Sequence, residues 1–269
     1  LDYKVYKADD KSLALPRAIS SGNLGVARLL LASGADVGYV ERENCWRSDA
    51  EGEYYAFETA LDKAAGCGYL DILFLLLERW TTVNERTQAL QVAVNHGRLD
   101  AVRVLLDHGV NINAAPSVLS HWEPRTALQA AAESGSRELV RCLLNAGADV
   151  ESTVRSTREQ GTALQFAATA GSISVVKALI WNGADVRAPA IGKDGRTAVE
   201  AAAEYGRLDV VQFLIDVGAQ RAGSRALEFA SEEGHLDVVM LLLENGFAET
   251  SIVRMDNEIM DETEDDSKA

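Results

Sequence analysis

A chain of 269 residues that is 47% hydrophobic, 6% aromatic and holds four prolines can bury one long core or two small ones. That balance favours Ala- and Leu-rich helices over a Gly/Pro-punctuated β-sandwich. The formal charge of −15 excludes a surface built to displace counterions from nucleic acid and repels anionic membranes.

At the N-terminus, LDYKVYKADD lacks the pattern of a signal peptide, and Leu1 in place of Met is expected to be a processing boundary. No apolar run approaches the ~18 residues of a membrane span. The first helix pair is predicted from Leu13, over LALPRAISSGNLGVARLLLASGADV. An insert follows at 41–58, ERENCWRSDAEGEYYAFE, with Trp46, Tyr54, Tyr55 and Phe57. The next pairs are predicted from Thr59 (TALDKAAGCGYLDILFLLLERW) and Gln88 (QALQVAVNHGRLDAVRVLLDHGV). A second insert at 114–125, AAPSVLSHWEPR, holds His121 and Trp122. Two of the clearest copies then start at Thr126 (TALQAAAESGSRELVRCLLNAGADV) and Thr162 (TALQFAATAGSISVVKALIWNGADV). The last start at Thr197 and Arg225, and the short loops around Arg155–Arg158 and Lys193–Arg196 are basic.

Each part of this pattern has a physical reason. The opening Thr caps free helical N–H groups, and the Leu and Ala three residues apart share a face on which small Ala lets helices approach closely. Gly22, Gly68, Gly97, Gly135, Gly171, Gly206 and Gly234 end the first helix, and a second Gly, such as Gly147 or Gly183, stops the second. Helices of about ten residues cannot bury both apolar faces alone, so such units must stack. Leu15, Leu61, Leu90, Leu128, Leu164, Val199 and Leu227 are equivalent, at spacings of 46, 29, 38, 36, 35 and 28 residues. The extra length falls in loops, where insertion is cheap.

These motifs resemble the ankyrin repeat family over roughly Leu13–Gly246, in a style similar to the arrays of filamentous fungi. The resemblance implies an all-α ankyrin-repeat solenoid with long inter-repeat finger loops over 1–246, followed by a cap and an acidic tail over 247–269. Two departures stand out. The family's His after T-P-L is replaced by Pro16, Asp62, Gln91, Gln129, Gln165, Glu200 or Glu228, and Trp80-Thr81-Thr82 stands where Gly-Ala-Asp is expected. The family binds proteins or peptides on a concave face, and the two residues before each first Gly point to the target. Here these are Ser20 and Ser21, Gly66 and Cys67, Asn95 and His96, Glu133 and Ser134, Thr169 and Ala170, Glu204 and Tyr205, Glu232 and Glu233.

The aromatics of 41–58 either line a ligand cleft or pack their own loop. In the cleft reading, Trp46 and Trp122 face each other across about 20 Å, given helices packed about 10 Å apart. His96 and Cys67 form the floor, which Gly66 leaves open, and Tyr54, Tyr55, Asn95 and His121 border it. A protein or peptide partner is expected; the alternative is a small molecule in that cleft, with His96 or His121 as a general acid–base group if there is chemistry. Neither a metal nor a cofactor is implied, and no nucleic-acid or membrane partner is expected. Cys45, Cys67 and Cys142 make no disulfide or zinc spacing and are expected to be small core or surface thiols. They point to a reducing compartment, the cytoplasm or else the nucleus, for a monomer. Trp80 and Trp181 are expected in the core, and His108 and His235 in structural roles. In the tail, Ser251–Met260 carries Ile252, Val253, Met255, Ile259 and Met260, enough for a short helix over the last repeat. Seven acidic residues lie between Asp256 and Asp266, so the rest of the chain still carries −8 of the −15. Asp261–Ala269 is expected to be solvated.

Overall fold

A computed structural model describes residues 10–37, 41–44, 55–78, 81–114, 125–153, 161–192, 195–219 and 225–247. Among them are fourteen helices and one two-stranded ribbon, so the fold is all-α with a single hairpin attached. The chain divides into two compact units, 1–131 with 136–158, and 132–135 with 159–269. In the first, α1 (Asp10–Ser20) pairs with α2 (Leu24–Ala32), and the ribbon β1 (Glu41–Asn44) and β2 (Tyr55–Glu58) follows. Then come α3 (Ala60–Cys67) with α4 (Leu70–Leu77), α5 (Val83–Asn95) with α6 (Leu99–Asp107), and α7 (Ala127–Glu133) before α8 (Arg137–Asn145). In the second, α9 (Ala163–Ala170) pairs with α10 (Ile173–Trp181), α11 (Ala198–Glu204) with α12 (Leu208–Asp216), and α13 (Ala226–Glu232) with α14 (Leu236–Glu244).

Stacking supplies the core. Within the first unit α1 lies on α3 and α3 on α5, while α2, α4, α6 and α8 form a second row. Within the second unit α9, α11 and α13 form one row and α10, α12 and α14 the other. The repeated Leu and Ala point inward: Leu61 and Ala64, Leu90 and Ala93, Leu128 and Ala131, Leu164 and Ala167 are all buried. Because no helix pair can bury both faces alone, each repeat depends on its neighbours.

The helix starts follow the reciprocal capping logic of the sequence. The Thr59, Thr162 and Thr197 hydroxyl oxygens each accept from the N–H of the third helical residue, and each threonine N–H donates in return to the side-chain oxygen of Asp62, Gln165 or Glu200. Thr126 and Gln129 make the same exchange. The residues standing where the family's His is expected therefore have work of their own. Beyond the cap, Gln91 Nε2 donates to Ala114 O at 3.2 Å, Gln129 Nε2 to Ser152 O at 3.0 Å and Gln165 Nε2 to Pro189 O at 3.0 Å. The first helices α5, α7 and α9 are thus each tied to the segment that leaves their own second helix.

The ends of the insert 41–58 form an antiparallel ribbon pairing Glu41 with Glu58 and Asn44 with Tyr55. Two expectations need correction. The helix expected from Gln88 begins earlier, because Thr82 and Glu85 make a capping box before Val83. That also shows what replaces the missing Gly-Ala-Asp turn: its last position, Thr82, opens the next helix. Finally Trp181, expected in the core, is 75% exposed. Its equivalents Ala32, Glu78, Asp107, Asn145, Asp216 and Glu244 are all exposed, so the helical phase at that position points to solvent. Trp80 lies outside the described residues.

Candidate binding surface

Every first helix stops at a glycine of positive φ, such as Gly68 at +77° and Gly206 at +64°. That geometry costs other residues about 1–2 kcal/mol. At Gly206 a second constraint applies, since a Cβ there would sit 2.7 Å from His235 Nδ1. The residue following the glycine reaches back to the preceding repeat. Arg98 Nε donates to Gly66 O at 2.9 Å, Arg207 Nε donates to Thr169 O at 3.1 Å, and His235 Nε2 lies 3.1 Å from Glu204 O. These bonds pin the ends of the first helices one to the next within each unit, which keeps the residues just before each glycine in register.

Those residues vary. Ser20, Ser21, Cys67 and His96 are exposed and Asn95 is half-buried. Glu133, Ser134, Glu232 and Glu233 are exposed too, and Tyr205 is 51% exposed at the end of α11. Cys67 is a free thiol at the last position of α3. His96 closes α5, with its Nδ1 2.9 Å from Val92 O. His108 closes α6 in the same way, Nδ1 2.6 Å from Val104 O, and its carbonyl accepts from Arg86 Nη1, in keeping with a structural role. Tyr55 stands in β2 opposite Asn44. Trp46, Tyr54, His121 and Trp122 lie outside the described residues.

The floor proposed for a cleft is not open. Gly66 is buried, and a Cβ there would meet Val92 Cγ1 at 3.0 Å and His96 Nδ1 at 3.4 Å. The missing side chain serves the close approach of α5 to α3, which also brings Arg98 onto the Gly66 carbonyl. A glycine before a helix-ending glycine reads in sequence as free space; here the neighbouring helix fills it.

In the second unit the charges are arranged in pairs. Arg196 grips Glu204 with two bonds, 2.9 and 3.0 Å, and its guanidinium lies 4.3 Å from the Phe229 ring centre. Arg225 covers the same ring at 4.4 Å and reaches Glu228 at 3.1 Å. Arg196, expected as part of a basic loop, is therefore engaged by its own unit, while residues 154–160 and 193–194 of the basic loops lie outside the described residues. Outward at the ends of α11 and α13 stand Tyr205, Glu232 and Glu233, with the exposed Arg207 beside Tyr205 donating its Nε to Thr169 O. Cys142 is half-buried in α8, where burial pushes its thiol up despite the nearby Arg103. Among the described residues no three His, Cys, Asp or Glu side chains are grouped to hold a metal, and no helix is long and apolar enough to cross a membrane.

Trp181 is the one aromatic at a second-helix position otherwise held by Ala, Asn, Asp and Glu.

Comparison with known proteins agrees with the pattern. A family model for ankyrin repeats matches in three copies, over residues 45–116, 114–190 and 188–253. A probable E3 ubiquitin-protein ligase XBOS33 of Oryza sativa subsp. japonica is 32% identical over 163 residues, 58% of this chain and 31% of that protein. The ankyrin repeat and KH domain-containing protein mask of Drosophila melanogaster is 38% identical over 97 residues, 35% of this chain and 2% of that protein. The chain thus spans less than a third of the length of either relative.

Proposed function

The chain belongs to the ankyrin repeat family, and on that premise we propose that it is a recognition scaffold whose second unit takes a basic, extended segment of a protein partner. Ankyrin repeats mediate protein–protein interaction. One observation carries the reading to particular residues: a stapled, nearly uniform frame holds exposed residues that differ from repeat to repeat. Uniform frames with variable tips give specificity without altering the fold. Tyr205 is the aromatic anchor of that surface in the second unit, while Cys67, Asn95 and His96 hold the equivalent helix ends of the first unit and Glu133 the end of α7. Aromatic side chains bury much area for little entropy and concentrate binding energy. The acidic neighbours Glu232 and Glu233, with Arg196 paired to Glu204 and Arg207 held back on the Thr169 carbonyl, give a surface complementary to Lys and Arg.

Selection from a random peptide display library against the full chain tests the reading. Enriched peptides should be rich in Lys and Arg, and a chain carrying Glu232→Lys and Glu233→Lys should lose them about tenfold or more. Enrichment of acidic or purely apolar peptides, or indifference to the charge reversal, would overturn the assignment.

A further inference from the structure

Glu204 stands beside Tyr205 at the end of α11, and one guanidinium holds both of its oxygens. Arg196 Nε donates to Glu204 Oε2 at 2.9 Å and Nη2 to Oε1 at 3.0 Å, with the guanidinium carbon 4.3 Å from the Phe229 ring centre. A carboxylate fork and an aromatic ring are the two groups that together recognise arginine: the fork matches its planar donors and the ring its charge. Stacking of the repeats does not require the pair. The repeat of α9 has Gly161 and Thr169 where the repeat of α11 has Arg196 and Glu204. It still makes the reciprocal cap and buries Ala163, Leu164, Ala167 and Ala168. In the repeat of α13 the acid is kept as the exposed Glu232, and Ser224 stands at the sequence position of Arg196. An arginine clamp on the acid is therefore a feature of one repeat and not of the fold.

We propose that Glu204 and Phe229 form a seat for an arginine of the partner, which the chain's own Arg196 fills until that arginine displaces it. This rests on the reading of the second unit as the receptor of a basic segment, and it requires arginine rather than lysine at the α11 position. Lysine offers a point charge and cannot match the fork of Glu204. Exchange of one guanidinium for another leaves Glu204 paired before and after, so no buried charge is stranded. The pair is open to water at its edge, with side chains 26% and 23% exposed. Arg196 precedes the Thr197 cap, so its side chain turns outward without disturbing α11. Arg225 lies 4.4 Å from the same ring centre and has its own carboxylate, Glu228, at 3.1 Å. It keeps the Phe229 ring covered on its side while Arg196 is exchanged.

Two titrations of the full chain test this. Methylguanidinium, followed by nuclear magnetic resonance, should shift the Phe229 ring signals saturably in Arg196→Ala. It should not do so in the parent chain, or in Arg196→Ala combined with Glu204→Gln. In the second titration, an Arg-containing peptide from display should bind Arg196→Ala about tenfold more tightly than the parent, because the competing side chain is gone. The same peptide with each Arg changed to Lys should gain less than about threefold. Gly161 at the equivalent position indicates that Arg196→Ala folds, which circular dichroism checks; should it not, Arg196→Gln takes its place in both titrations. Absence of a saturable Phe229 shift overturns the proposal, as does a peptide affinity that is unchanged or weaker in Arg196→Ala. A basic peptide that binds neither chain instead overturns the basic-segment reading, whereas the methylguanidinium arm fails only with the seat itself.

Discussion

The pair α11–α12 and the pair α13–α14 share one sequence pattern and meet different fates. In the first, Thr197 and Glu200 form a reciprocal cap, and the other oxygen of Glu200 accepts the Arg225 N–H at 2.8 Å. In the second, Arg225 stands in the capping position without a side-chain cap, so its N–H relies on the neighbour. Gly206 is covered by His235, whereas nothing lies within 4 Å of a Cβ built on Gly234. Ile215 is buried, while Leu243 is not. The hydrophobic pattern states which face of a helix should be covered. Whether it is covered depends on the next repeat.

The comparison breaks most sharply at the second helices. Ile215→Ala should cost about 2–4 kcal/mol in denaturant unfolding, through the cavity left between α12 and its neighbours. Leu243→Ala should cost less than about 1 kcal/mol, since an exposed side chain leaves no cavity. Equal losses at the two positions would mean that the Leu243 side chain is covered in solution.

A smaller effect separates the two glycines. Gly206→Ala and Gly234→Ala both force alanine to a positive φ, at about 1–2 kcal/mol each. Gly206→Ala must also push His235 away from the Glu204 carbonyl, adding about 1 kcal/mol. A thermal or urea midpoint that falls equally for both would remove the inter-repeat staple from the account. Smallest is the cap. Thr197→Ala should cost about 1 kcal/mol. Arg225→Ala loses only stacking on Phe229 and a half-exposed ion pair, and should cost no more than about half as much.

Much of the fold was legible because it rests on local rules. Thr59, Thr126, Thr162 and Thr197 announce helix starts, and the glycines announce stops, since no other residue adopts that backbone as cheaply. The buried Leu and Ala rows follow from spacing alone. Sequence failed where a contact crosses from one repeat to the next. Gly66 looked like open space because Val92 and His96, which fill it, come from α5. The basic loop residue Arg196 looked free because Glu204 and Phe229 lie on other elements. Trp181 was judged by residue type, and its helical phase outweighed its hydrophobicity. Of the aromatic cleft, Trp46, Tyr54, His121 and Trp122 lie outside the described residues, while its floor is closed at Gly66.

The claim at the centre is that residues exposed at the first-helix ends of the second unit hold the ligand. Calorimetric titration of the best Lys- and Arg-rich peptide from display into the full chain, and into its Tyr205→Ala variant, measures this directly. Tyr205 is half exposed and caps no core, so the variant should keep its circular dichroism and unfolding midpoint. Its affinity should fall about tenfold or more, the loss expected when an aromatic anchor is truncated. An unchanged affinity in a correctly folded variant would contradict the account and move the binding surface elsewhere on the chain.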